Sequence, residues 1–185
     1  MHYIIDPPHV LQADVNLPAS KSISNRALII QALTPGAPTP FNLSDCDDTR
    51  VLKDALRLLP SHIDIGPAGT AMRFLTAYLA ITPGEHTLTG SERMRQRPIG
   101  QLVDALRLLG AEIAYEGEEG FPPLRITGKP IMGGTIEMAG DISSQFVTAL
   151  LLIAPVMEKG LTLHLQGRII SRPYIDMTLQ VMRSY

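Results

Sequence analysis

Hydrophobic positions along the chain follow a helical period in some stretches and a strand period in others, and the order of the two repeats. Helically spaced apolar runs predict helices over residues 24–33, 71–81 and 146–156. Each opens on small polar residues: Ser20-Lys21-Ser22, Gly69-Thr70 and Ser143-Ser144-Gln145. Each closes on a turn, at Pro35-Gly36, at Pro83-Gly84 and at Gly160. Short strands are predicted at 86–88 and 161–165, after the second and third turns. A second helix then follows in every unit, over 48–59, over 98–109 and from Pro173 onward. The run 146–156 is apolar apart from Thr148, and a helix apolar on all sides belongs inside a domain. The three first helices are therefore expected at the centre.

The repetition is literal in places. Asp54-Ala55-Leu56-Arg57-Leu58-Leu59 recurs as Asp104-Ala105-Leu106-Arg107-Leu108-Leu109, fifty residues later. Ser22 to Gly36 and Thr70 to Gly84 are both spans of fourteen residues. Three ordered copies indicate a duplicated βαβα-type unit. Residues 112–115, 124–127 and 135–138 read as strands separated by Gly- and Pro-containing turns. A complete unit is thus expected as helix, strand, helix and a few antiparallel strands. The third copy reaches Tyr185 near the end of its second helix, which reads as a piece of a longer repeat protein.

Composition narrows the function classes. Hydrophobic residues make up 45% and charged residues 18%, as in ordinary globular proteins. A net charge of −2, no Trp and 5% aromatics argue against a nucleic-acid surface. The apolar runs are too short to span a bilayer, so no membrane partner is expected. The start Met1-His2-Tyr3-Ile4-Ile5-Asp6 lacks the basic-then-apolar pattern of a signal peptide. The lone Cys46 fits a reducing, cytoplasmic setting. His2, His9, His62, His86 and His164 are scattered without metal-ligand spacing. No nucleophile elbow or Walker-type loop is present.

The basic residues say more. Twelve of the sixteen are Arg, whose planar fork suits carboxylates and phosphates. The small residues at the helix starts, with Lys21, Arg26 and Arg73 nearby, either cap those helices or admit an anion to the orphan N–H groups. Arg93, Arg95 and Arg97 precede Pro98, and Arg168 and Arg172 precede Pro173, each Pro being expected at the first helical position. A cation against a helix N-terminus is repelled by up to about 1 kcal/mol. Either Glu92 and Asp176 or a bound anion must compensate. In the first unit the equivalent loop is acidic, with Asp45, Asp47 and Asp48, and Asp48 is expected as the N-cap. The residues alone give an α/β repeat protein whose loops suit small polyanions.

Three segments carry a resemblance. Leu17-Pro18-Ala19-Ser20-Lys21-Ser22-Ile23-Ser24-Asn25-Arg26, Ala68-Gly69-Thr70-Ala71-Met72-Arg73 and Arg93-Met94-Arg95-Gln96-Arg97-Pro98-Ile99-Gly100 closely resemble the 3-phosphoshikimate 1-carboxyvinyltransferase (enolpyruvylshikimate-phosphate synthase) family. Ser143-Ser144-Gln145-Phe146 and Ser171-Arg172-Pro173-Tyr174-Ile175-Asp176 are similar to two further motifs of it. The resemblance implies a fold of βαβαββ units about a pseudo-threefold axis, here with the third unit incomplete. It implies that residues 1–18 belong to a second, absent domain and that 19–185 form a truncated substrate-binding domain. It implies transfer of the enolpyruvyl group of phosphoenolpyruvate to the 5-hydroxyl of shikimate 3-phosphate in aromatic amino-acid biosynthesis, releasing phosphate, with no cofactor or metal. Lys21 is expected to touch both substrates and to be catalytic. Ser22, Arg26, Ser143, Ser144, Gln145, Ser171 and Tyr174 are expected on shikimate 3-phosphate, and Gly69, Arg97 and Gln145 on phosphoenolpyruvate. Pro67 and Phe74 stand where many relatives have Asn and Pro.

The family's acid/base Asp and Glu are expected outside these residues, so the chain alone is expected to bind without turnover. The intact enzyme is expected as a monomer, and the shorter chain to self-associate through uncovered apolar surface. Two other readings remain. One is a non-catalytic α/β module binding anions, RNA or a protein partner. The other is the sister UDP-N-acetylglucosamine enolpyruvyl transferase, against which the Lys21–Arg26 motif weighs.

Overall fold

The computed structural model describes residues 2–4, 6, 10 and 12–185. The first unit holds α1 (Lys21–Leu33), α2 (Asp47–Leu58) and β1 (His62–Asp64). The second holds α3 (Gly69–Ile81), β2 (Gly84–Thr89), the single turn α4 (Glu92–Arg95), α5 (Gly100–Leu108), β3 (Glu112–Tyr115), β4 (Leu124–Gly128) and β5 (Gly134–Ala139). The third holds α6 (Ser144–Ile153), a 3-10 turn (Ala154–Val156), β6 (Leu161–Gln166) and α7 (Arg172–Met182). Of the leading segment 1–18, residues 1, 5, 7–9 and 11 lie outside the described residues, His9 among them. Its described residues are exposed and form no helix or strand.

α1, α3 and α6 pack on one another at the centre. α3 is buried from Gly69 to Ala80, and α1 from Ser24 to Ile30. Leu150 and Ile153 of α6 are fully enclosed, as the all-round apolar pattern demands. Leu150→Ala is expected to cost about 3 kcal/mol, the usual outcome of emptying a rigid core site. Urea unfolding checks this, and a loss below about 1 kcal/mol would put α6 at the periphery instead.

The sheets correct one expectation. β2, β4 and β3 are antiparallel neighbours, and β1 adds to β2 in parallel, giving the order β1-β2-β4-β3. β5, expected as a third antiparallel strand of its unit, instead pairs in parallel with β6 of the next. Gly133 and Gly134 (φ +75° and +130°) turn the chain away, and a Cβ on Gly133 would lie 2.2 Å from the Gly160 carbonyl oxygen. The Gly134 N–H donates to that same oxygen at 2.9 Å. β1 is a strand the hydrophobic pattern did not indicate, and it makes the equivalent move toward β2.

Helix starts also shift. α1 begins at Lys21 because Ser20 caps it, its Oγ accepting from the Ile23 N–H at 3.4 Å. α3 and α6 likewise begin two residues early, at Gly69 and Ser144. The N-cap of α2 is Cys46, not Asp48, since the Cys46 carbonyl takes the Thr49 and Arg50 N–H groups at 3.1 Å each. Pro98 is not the first residue of α5. Ile99 is the N-cap, its backbone non-helical at φ −134° and its N–H donating to the Gly120 carbonyl at 2.8 Å, and the helix begins at Gly100.

Candidate active site

The second turns of the central helices meet at one side chain, Arg26 of α1. Its guanidinium lies 5.7 Å from the centre of the Phe74 ring on α3. It donates to Thr148 Oγ1 of α6 at 3.2 Å and to Thr178 Oγ1 of α7 at 2.8 Å. It also donates to the Ser22 and Tyr174 carbonyls at 2.8 and 3.3 Å. Arg26 is 3% exposed, and every one of these partners is neutral. Burial lowers its pKa to about 10, against a smaller opposing pull from Tyr174.

A pair of guanidinium groups sits at the start of α3. Arg73 is buried and donates to the Gly69 carbonyl at 3.0 Å and to the Pro98 carbonyl at 3.5 Å. Its guanidinium also lies 6.0 Å from the centre of the Phe146 ring on α6. Burial, and then the charge of Arg97, lower its pKa to about 10. Arg97 is exposed, and its Nη1 lies where a Cβ on Gly69 would come within 2.5 Å. Gly69 is thus glycine because two guanidinium groups rest on it. Arg97 lines a cleft of about 470 Å³ with Pro67, Ser91, Arg93 and Met94.

Among the described residues, no ion pair involves Arg26, Arg73, Arg93 or Arg97. Glu92 therefore does not compensate the Arg cluster ahead of α5. At α7 the other outcome holds, with Asp176 3.7 Å from Arg172, an exposed pair worth little. Like charges crowded at a helix N-terminus without a carboxylate make a site that gains from an anion.

The other sequence-derived residues lie around these two centres. Lys21 opens α1, half-exposed, with Nζ 3.8 Å from Asp48. Ser22 follows it and holds Arg26 through its carbonyl. Ser143 caps α6, its Oγ accepting from the Gln145 N–H at 3.3 Å, and Ser144 is the first helical residue. Gln145 donates from Nε2 to Thr70 Oγ1 at 3.4 Å, tying the start of α6 to the start of α3. Ser171 caps α7 in the left-handed conformation (φ +59°) without a side-chain cap bond. Tyr174 is exposed, joined to the rest through its carbonyl to Arg26. Arg73, Thr70, Thr148, Thr178 and Asp48 also belong to the arrangement. Of these, Arg73 was signalled in the sequence as a cation near a helix start, inside an otherwise apolar helical run.

The family model described as EPSP synthase (3-phosphoshikimate 1-carboxyvinyltransferase) matches residues 5–63 and 60–185. The chain belongs to the EPSP synthase family. A 3-phosphoshikimate 1-carboxyvinyltransferase of Bacteroides fragilis is 58% identical over 185 residues, covering all of this chain and 45% of that relative. One from Shewanella halifaxensis is 43% identical over 207 aligned residues, covering 98% of this chain and 49% of the relative. The solved EPSP synthase of Acinetobacter baumannii superposes with a TM-score of 0.72 at 25% identity, covering 83% of this chain and 41% of that one. The chain thus spans about half the length of the curated EPSP synthases it matches. Among the described residues no helix is long and apolar enough to cross a membrane.

Proposed function

We propose that this chain carries the substrate-gripping part of a 3-phosphoshikimate 1-carboxyvinyltransferase. The observation that carries the reading is the Arg73–Arg97 pair on Gly69, buried and exposed respectively, with no carboxylate partner among the described residues, beside an open cleft. Phosphoenolpyruvate takes that cleft, its charge held by Arg97 and the N-terminus of α3, with Gln145 and Lys21 at its edge. Shikimate 3-phosphate takes the neighbouring helix starts. Its phosphate lies on Ser143, Ser144 and Ser171, its ring beside Tyr174, and its carboxylate toward Ser22 and Arg26. Lys21 bridges the two ligands. Bringing two polyanions together is the main task, and fixed cations and N–H groups do it without reorganisation. The proton steps fall to groups of the relatives outside the span of this chain, so the chain alone binds without turnover. The reading carries a cytoplasmic location and no metal or organic cofactor.

Calorimetry with each substrate tests it. Gly69→Ala pushes on the far ends of two flexible Arg side chains, so the fold is expected to survive. Phosphoenolpyruvate affinity is expected to fall about tenfold as Arg97 is displaced, with shikimate 3-phosphate binding unchanged. Absence of binding to either substrate, or RNA retained on a filter instead, sinks the reading.

A further inference from the structure

The three central helices share a feature that their apolarity hides: the fifth residue of each is polar and buried. These residues are Asn25 of α1, Arg73 of α3 and Thr148 of α6. Each reaches across to the second helix of its own unit, or to the turn before it. Asn25 Oδ1 accepts from the Thr49 hydroxyl of α2 at 2.8 Å. Arg73 donates to the Pro98 carbonyl ahead of α5 at 3.5 Å, and Thr148 meets the Thr178 hydroxyl of α7 at 3.1 Å. A polar strut from first helix to second is thus part of the repeat. In the second and third units the struts end next to groups of the substrate loops, since Pro98 follows Arg97 and the Thr178 hydroxyl donates to the Tyr174 carbonyl.

Asn25 carries a penalty. It is fully buried, and its Nδ2 is the one buried side-chain nitrogen or oxygen without a hydrogen-bond partner among the described residues. An unpaired amide donor in a core destabilises it, and leucine has the same branched shape without the donor. Stability therefore gives no account of an amide at this position. What the amide holds is the entry to α2. Thr49, itself buried, is the third residue of that helix, and its hydroxyl proton goes to Asn25. One residue earlier on α1, Ser24 Oγ accepts from the Ser44 N–H at 2.9 Å. Two adjacent side chains of α1 thus pin residues 44–49 at both ends. Between the pins lies Asp48, in the first turn of α2, where the helix dipole favours a carboxylate. Its Oδ1 is 3.8 Å from Lys21 Nζ, and no other carboxylate pairs with Lys21 among the described residues. The Asp48 side chain is 22% exposed against 48% for Lys21, so the carboxylate is the fixed partner and the ammonium the held one.

We infer that Asn25 is a positioning residue for Lys21. It acts through Thr49, which sets the first turn of α2, and through Asp48 on that turn, which holds the ammonium at the start of α1. The buried contacts of α2 further along, through Leu52 and Ala55, are apolar and without direction, so they do not fix how the first turn sits on α1. The strut supplies that direction. The meeting of Lys21 with substrate rests on the proposed function, whereas the path from Asn25 to Lys21 rests on the bonds alone.

Two readouts on the 185-residue chain test it. Reductive methylation with isotope-labelled formaldehyde gives each of the four lysines a methyl signal by NMR, and Asp48→Asn identifies that of Lys21. Asn25→Leu combined with Thr49→Val replaces both ends of the strut by apolar groups of like shape, so the urea midpoint is expected at or above that of the parent. The Lys21 signal is expected to move toward its position in Asp48→Asn, while those of Lys53, Lys129 and Lys159 stay. In calorimetry on the unmethylated chain, affinity for shikimate 3-phosphate is expected to fall about tenfold, the size of one charge-assisted contact. Thr49→Ser keeps the hydroxyl and is expected to keep the parent signal and affinity. Thr49→Val alone is the milder change should the double variant fail to fold. It is expected to move the same signal at a lower urea midpoint, because Asn25 Oδ1 loses its donor. A Lys21 signal that stays put in the folded variant would make the strut structural only and overturn the inference, as would a moved signal with unchanged affinity. If the parent binds no shikimate 3-phosphate, the proposed function falls, and the Lys21 signal still decides whether Asn25 positions that side chain.

Discussion

Alanine at position 128 is expected to cost the chain about 4 kcal/mol or more, enough to unfold a protein of ordinary stability. A Cβ on Gly128 would lie 1.7 Å from the Thr82 carbonyl oxygen and 2.4 Å from that of Leu79. Both are main-chain atoms at the end of α3, so no side chain can swing aside. Gly128 cannot retreat either. It is held by pairing with Gly84 across β2 and β4, and the next N–H, of Lys129, donates to the Ala80 carbonyl at 3.1 Å. The contact is what seats the sheet on the central helix, so relief requires parting the two layers. Circular dichroism melting is the check. A Tm within a few degrees of the parent would mean that β4 does not approach α3 this closely. Alanine at Gly134 meets open space, and its cost is only that of a positive φ.

Arg26→Met should separate binding from stability. The folded-state pKa of Arg26 is depressed to about 10, so folding disfavours its charged form. Below pH 10 the side chain is charged whether folded or unfolded, and the penalty is present in full. It is relieved only as pH rises above about 10 toward the ordinary guanidinium range. A depression of this size corresponds to a cost on the order of 3 kcal/mol at neutral pH, partly offset by the hydrogen bonds to neutral oxygens. Methionine removes the charge and fills the space beside Phe74. Thr148 and Thr178 keep each other at 3.1 Å, and Thr178 keeps the Tyr174 carbonyl at 2.7 Å. Stability in urea at pH 7 is expected to hold or rise by about 1 kcal/mol. Affinity for shikimate 3-phosphate is expected to drop about a hundredfold, the size of a lost charge-assisted pair. Lower stability with unchanged affinity would make Arg26 a structural cation and nothing more.

The central helices were legible because their apolarity has no polar face to hide, and burial of α3 and α6 leaves no other place for them. Boundaries were less so. Three acidic residues, Asp45, Asp47 and Asp48, crowd the entry to α2, and composition does not reveal that Cys46 supplies the capping carbonyl. The partner of β5 was not legible at all. A period-2 pattern says that a strand exists, while its neighbour is fixed by contacts far along the chain. The site divides the same way. Lys21, Gly69, Ser143 and Gln145 announce themselves as small or polar residues at helix starts. Arg73 was legible as a cation near a helix start, whereas Thr148 and Thr178 are buried within their helices, and their involvement emerges only where α1, α6 and α7 meet around Arg26.

The strand that each unit hands to the next has a thermodynamic consequence. In a solenoid, a repeat owns its secondary structure and meets its neighbours across an interface, so that terminal repeats fray one by one. Here β1 belongs by sequence to one unit and by hydrogen bonding to another, and β5 does the same one step later. Opening the first unit therefore strips an edge from the sheet of the second, and opening the second leaves β6 without a ladder. The free energy of a single unit is not separable from that of the next, and the three copies form one cooperative block whose slowest-exchanging amides should be shared across the junctions.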